Sequence, residues 1–159
     1  YIVSSAKDGM ARVWKAGGEC VAELVCDITD HKAPKPKKPP KNKRPPQVLV
    51  RGCAFGDLEG KVVYTIASGR KGKAFLSRWL QQPDKTFKCD IRTDVHGFPI
   101  SAMNLSGDAA LMALGAVDGT ILLFDIIKWK VVKKFNELHH LPVTCIAARP
   151  YSTPLKGDG

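Results

Sequence analysis

Short runs of apolar and β-branched residues, separated by turn-forming pairs, fill almost the whole chain. "YIVSSA", "MARVWKA" and "ECVAELV" are bounded by Asp8-Gly9 and Gly17-Gly18. Asp-Gly between alternating apolar runs is a strong hairpin signal, because both residues tolerate the left-handed backbone that a tight turn needs. These runs predict a meander of three strands. "VLVRGCAFG", "KVVYTIAS", "AFLSRWL" and "FKCDIR" predict four more. "ISAMNLS", "AALMALGA", "TILLFDI" and "KVVKKF" predict another four, and "VTCIAARP" starts one further strand. The pattern predicts strand over most of 1–26, 48–92 and 100–149, with no helix longer than a turn or two.

The groups repeat. "DGMARVWK" (8–15) and "DGTILLFD" (118–125) align without a gap, each placing Asp-Gly six residues before an aromatic that a polar residue follows. Trp79 supplies the aromatic of the middle group. The junctions repeat as well: "HGFPIS" (96–101) and "HHLPVT" (139–144) share His, Pro and a β-branched/hydroxyl pair. From Trp79 to Phe124 is 45 residues, about one four-stranded propeller blade. From Trp14 to Trp79 is 65, and the excess matches the stretch "KAPKPKKPPKNKRPPQ" (32–47). Proline has no amide donor and a fixed φ, so this stretch cannot join a sheet ladder. It reads as an extended surface loop inserted between two blades.

That insertion explains most of the charge. Lysine and arginine number 25 against 15 acids, a net charge of +10 in 159 residues, and seven of the basic residues with six of the eleven prolines lie in 32–47 without one acid. The remainder is only mildly basic. A 44% hydrophobic share with 25% charged residues is that of a globular domain with a core. The most apolar run, 109–127, is broken by Asp118 and Asp125 and by a turn at Asp118-Gly119, which excludes a membrane-spanning helix. Nothing at Tyr1 reads as a signal peptide. A sequence that opens without Met and ends on "KGDG" is expected to be a piece of a longer protein.

The order His-Gly, strand, strand, Asp-Gly, strand ending aromatic-polar, strand, resembles the WD-repeat β-propellers. The fold expected is all-β: a partial WD-repeat propeller of about three four-stranded antiparallel blades. Residues 1–26 supply the strands of one blade, 27–47 the Pro/Lys-rich insertion, 48–95 a second blade, 96–138 a third, and 139–159 the start of a further one. WD blades often link His, Ser/Thr, Asp and Trp by hydrogen bonds. The resemblance makes His96, Asp118, Asp8, Trp14, Trp79 and Phe124 structural posts of that kind, with Asp118 the partner of His96. Phe124 stands where Trp is usual, and Ala6 and Ala116 stand where a hydroxyl is common, so the polar network is expected to be incomplete.

"VLVRGCAFGDLEGKVVYTIASGRKGKAFLSRW", with its basic connection at 69–73, followed by "HGFP", "ISAMNLSGDAALMALGAVDGTILLFDI" and "LPVTCIAARP", is similar to one family in particular. This is the prolactin regulatory element-binding protein family, endoplasmic-reticulum exchange factors that load GTP on the small GTPase initiating the COPII coat. The resemblance implies that GTPase as partner, the cytosolic face of the endoplasmic reticulum as location, and regulation of exchange rather than bond-making catalysis. The family's ion-binding loop lies N-terminal in the propeller and its membrane anchor lies C-terminal. These residues match neither, so no catalytic residue is carried over. The alternatives are a WD-repeat scaffold without exchange activity and, behind it, a DNA-binding regulator.

No other chemistry emerges. "ASGRKGKA" (67–74) lacks the first glycine and the hydroxyl of a phosphate loop, with Ala67 and Ala74 at those posts. His139 and His140 are adjacent, and neighbours on a strand point to opposite faces, so a shared metal ion is not expected. The five cysteines form no CxxC pair and read as buried, reduced thiols. Asp57 and Glu59 read as solvated turn residues. No catalytic, cofactor-binding or metal-binding residue is assigned, and no cofactor is expected. Lys32–Arg44 is read first as a solvated loop, then as a weak contact with anionic membrane. Nucleic acid is disfavoured because the insertion carries no aromatic to stack on bases.

Overall fold

The computed structural model describes residues 1–26, 48–69, 72–136 and 138–148. The Pro/Lys insertion, with its proposed membrane contact, lies outside the described residues. The described chain is all-β and contains no helix. β1 (Ile2–Ser5), β2 (Met10–Trp14) and β3 (Cys20–Val25) form the first sheet. β4 (Leu49–Phe55), β5 (Val62–Ser68), β6 (Ala74–Gln81) and β7 (Phe87–His96) form the second, and β8 (Ile100–Leu105), β9 (Leu111–Ala116), β10 (Ile121–Asp125) and β11 (Lys130–Phe135) the third. Each is an antiparallel meander whose strands pair in chain order.

The sheets stack face to face, with the second in the middle. Strand alternation sends successive side chains to opposite faces. Val63, Ala67, Phe75 and Trp79 therefore meet Ala11, Val13 and Leu24 of the first sheet, while Tyr64, Ile66, Ala74 and Leu76 meet Met112, Leu114, Leu122 and Phe124 of the third. β5 and β6 are buried on both faces, which is why "VVYTIAS" and "AFLSRWL" read as near-continuous apolar runs. Each fully buried Leu, Ile or Phe contributes about 1.5–3 kcal/mol.

The first and third sheets each keep one open face. On the first, Ile2 and Val25 are exposed. On the third, Ala113 of β9 and Ile121 and Leu123 of β10 alternate away from the core and are half-buried, while Gly115 on the same face is covered by Val143 and Ile146. The first sheet has the three strands that its apolar runs predict, one fewer than the other two sheets. Two differences from the sequence reading have physical causes. β7 runs on to His96, past the expected end at Arg92, because its pairing with β6 continues to Ala74. Val143–Ala148 forms no strand. It is tied down by three isolated bonds rather than a ladder: the Val143 amide to the Ala116 carbonyl (3.1 Å), the Ser101 hydroxyl to the Val143 carbonyl (2.6 Å) and the Ala148 amide to Asn104 Oδ1 (3.2 Å).

The joins between sheets repeat. The Val50 amide donates to the Ala6 carbonyl (3.3 Å) just as Val143 donates to that of Ala116. Both alanines precede an Asp-Gly turn by two residues. The glycine of each turn has positive φ and lies under a following segment, Gly9 under Val48 just before the second sheet and Gly119 under His139 after the third. A Cβ on Gly9 would sit 3.3 Å from the Val48 carbonyl oxygen, and one on Gly119 would fall on the carbonyl oxygen of His139. Gly18 shares the positive φ but faces open space.

Gly119→Ala is therefore expected to lower stability by about 1–3 kcal/mol more than Gly18→Ala, the range for forcing atoms into packed space. Both variants carry the backbone strain and only the first carries the overlap. Parallel urea unfolding curves measure the difference, and equal losses would show that the join tolerates a side chain there.

Candidate functional site

The six posts expected from the sequence fall into two kinds of cross-strand contact. The first is the aspartate of each Asp-Gly turn. Asp118 accepts the Thr120 amide (3.1 Å) through Oδ1, and His96 Nε2 lies 3.0 Å from Oδ2. His96 comes from the end of β7, so this contact bridges the second and third sheets. Asp8 holds the corresponding turn through the Met10 amide (3.0 Å). No earlier sheet offers it a histidine among the described residues. Arg12, four residues on, takes that place at 2.9 Å and also reaches Glu23 at 3.0 Å. Both aspartates lie below the usual carboxylate range. For Asp8 the Arg12 bond is the main cause, followed by the Met10 amide. For Asp118 burial pushes upward, and the bonds from His96 and Thr120 together outweigh it.

The second contact joins an aromatic to a hydroxyl. Trp14 faces Ile2 across β1–β2, and its indole donates to Ser4 Oγ (2.8 Å). Trp79 faces Val63 across β5–β6, and its indole donates to Thr65 Oγ1 (2.9 Å). In each case the acceptor lies two residues beyond the tryptophan's cross-strand neighbour. Phe124 faces Met112, and the residue two beyond is Leu114. Phenylalanine has no donor, and leucine needs none. The expectation of an incomplete network at Ala6 and Ala116 thus overlooked the hydroxyls, which sit deeper in the strands. Thr65 also lies 3.4 Å from the Cys26 sulfur, whose thiol burial pushes up to about 11, the Thr65 bond offsetting part of the rise.

Other sequence readings sort as follows. All five cysteines are free thiols, but only Cys26 is buried, and Cys20 and Cys145 are exposed. Asp57 caps its turn, accepting the amides of Lys61 (2.9 Å) and Val62 (3.1 Å), while Glu59 pairs with Lys61. On β11, Lys133 lies over the Phe135 ring. Among the described residues no group of three His, Cys, Asp or Glu side chains is placed to hold a metal ion. No described helix is long and apolar enough to cross a membrane.

One feature went unseen in the sequence. The inner ends of the sheets converge on an open groove of about 400 Å³. Its walls are Val3–Ser5 and three matching triplets, Arg51–Cys53 of β4, Ser101–Met103 of β8 and Thr144–Ile146. The repeated junctions "HGFPIS" and "HHLPVT" pointed to the second and third of these, since Ser101 and Thr144 occupy the same place in them. Nothing in the spacing revealed that Arg51 is the third member. No family model and no curated protein matches the chain.

Two predictions follow from the posts. Thr65→Val strands a buried indole N–H and is expected to cost about 1–3 kcal/mol, whereas Ser4→Ala, at a more exposed post, costs less; thermal unfolding of both variants compares them. Asp118 has a folded pKa below its unfolded one, so its stabilisation is present above about pH 4 and is lost as pH falls through the folded value. The stability difference between the wild type and Asp118→Asn should narrow as pH drops from 6 to 2.5. A constant gap across that range would remove the ionised carboxylate from the account.

Proposed function

We propose that the three sheets are successive blades of a WD-repeat β-propeller belonging to an exchange factor for the small GTPase that starts COPII assembly. It acts at the cytosolic face of the endoplasmic reticulum. The observation that carries the architectural part is the repeated cover: each Asp-Gly turn lies under the segment that follows its sheet, with matching triplets from β4, β8 and 144–146 sharing one groove. Successive blades around one axis account for that arrangement, and for a middle sheet buried on both faces. The functional part is supported by the resemblance of most of the chain outside 27–47 to the exchange-factor family.

In this reading the protein makes and breaks no bonds. A rigid ring presents loops to the GTPase and binds its nucleotide-free form better than its loaded form. Nucleotide release is then a population shift. A hundredfold acceleration of release corresponds to about 2.7 kcal/mol of barrier lowering.

Release of a fluorescent guanine nucleotide from the coat GTPase tests this directly. The complete cytosolic propeller should accelerate release well above the GTPase's own rate. The 159 residues here should leave it near background, because the family's ion-binding loop has no match among them. Full-strength exchange by these residues alone would relocate the active surface onto the sheets described here. No exchange by the complete propeller would leave a scaffold that docks proteins.

A further inference from the structure

The innermost strands of the second and third sheets break register at the same place. Pairing along β4 passes from Val50–Ala67 to Gly52–Ile66, and along β8 from Ile100–Ala116 to Ala102–Gly115. Arg51 and Ser101 are the extra residues of two equivalent bulges. A bulge takes one side chain out of the ladder's alternation and re-aims it. Here both bulged residues line the groove at the inner ends of the sheets, and Thr144, which follows Val143 as Ser101 follows Ile100, lines it too.

The equivalent residues are used differently. Ser101 gives its hydroxyl to the Val143 carbonyl (2.6 Å) and approaches that of Gly115 (3.3 Å), so it ties neighbouring segments together. Arg51 makes no hydrogen bond or ion pair with any described residue, and no carboxylate lines the groove. By contrast Arg12 and Arg78 are both held by acids on neighbouring strands. A guanidinium is a planar fork of donors matched to a carboxylate in two-point contact. Ser4, Ser5 and Thr144 bring further hydroxyls to the lining of the same groove.

We propose that Arg51 anchors the carboxylate of an acidic side chain, carried on a partner's peptide segment that enters this groove. One guanidinium without a second cation matches a monoanionic carboxylate better than a phosphate dianion. A groove of about 400 Å³ holds a side chain with its flanking backbone rather than a bare ion. The site does not depend on the exchange-factor reading, and neither result below bears on nucleotide release.

The test follows the Arg51 Nε–H signal and the amides of Gly52 and Ala102 by NMR on the whole chain. Three probes are titrated: a short glycine peptide with one central glutamate, its glutamine counterpart, and inorganic phosphate. Salt is held near physiological strength, where the Debye length is about 8 Å, to suppress the general attraction of a basic chain. The glutamate peptide should shift all three signals saturably, and the glutamine peptide should not. Arg51→Gln should weaken binding about tenfold or more, the loss expected of a charge-assisted pair. Arg51→Lys, which keeps the charge and loses the fork, should weaken it by a smaller factor, with both variants melting as the wild type does. Absence of shifts, equal binding by Arg51→Gln, or equal shifts from phosphate would each overturn the proposal, the last by showing an adventitious ion only.

Discussion

The described fold hangs on one sheet whose two central strands have no wet face. β5 and β6 send Val63, Ala67, Phe75 and Trp79 one way and Tyr64, Ile66, Ala74 and Leu76 the other. The outer sheets are held through these two strands. A sheet with one apolar face must bury that face against another layer. Here each outer sheet obtains its dry face only by stacking on the middle one. Buried polar groups there need local partners, which the Trp129 indole at the edge of the core shared by the second and third sheets lacks among the described residues. Thr65 meets that demand by serving both the Trp79 indole and the Cys26 thiol.

Stacking alone leaves sheets free to slide, and the joins limit this. An incoming segment bonds a carbonyl two residues before an Asp-Gly turn and passes over the glycine, which cannot carry a side chain without collision. The aspartate beside it fixes the turn's own amide and then reaches outward. Asp118 reaches His96 on the neighbouring sheet, while Asp8 is held by Arg12 of its own sheet. One residue type at one repeated position thus serves an inter-sheet bridge in one case and an intra-sheet ion pair in the other. The difference comes from the neighbour, not from the turn.

The strands were legible because period and punctuation agree: of twelve apolar runs read, eleven form strands among the described residues. Two-sided burial was also legible, in the continuous apolar character of 62–68 and 74–80, whereas the first sheet shows the looser alternation of a one-sided strand. The further strand at 143–148 was misread because an apolar run reports the capacity to pair, and a ladder also needs a partner with open donors and acceptors. His96 and Asp118 were found as a pair because both sit at repeated landmarks. Ser4 and Thr65 were missed because a search keyed to the turn counts along the chain, while a cross-strand acceptor is set by register. The groove was invisible for the same reason. Its walls come from four separated segments, and the placement of Arg51 depends on a bulge, an extra residue that no apolar periodicity marks.

Register also explains why the three aromatic posts differ without conflict. The atom two residues beyond the aromatic's cross-strand neighbour is the one its ring edge reaches. Where the ring carries an N–H, as at Trp14 and Trp79, that atom is the hydroxyl of Ser4 or Thr65; where it does not, as at Phe124, the neighbour is Leu114. A tryptophan at 124 with leucine retained at 114 would bury an unmatched donor. A threonine at 114 beside phenylalanine would bury an unmatched hydroxyl in the driest part of the core, where Leu114 is fully enclosed. Either half-change costs about 1–3 kcal/mol, and the double change restores the bond seen in the other two sheets. Each post is therefore matched as a pair, and phenylalanine at 124 suits the leucine at 114 as tryptophan suits its hydroxyl in the other two sheets.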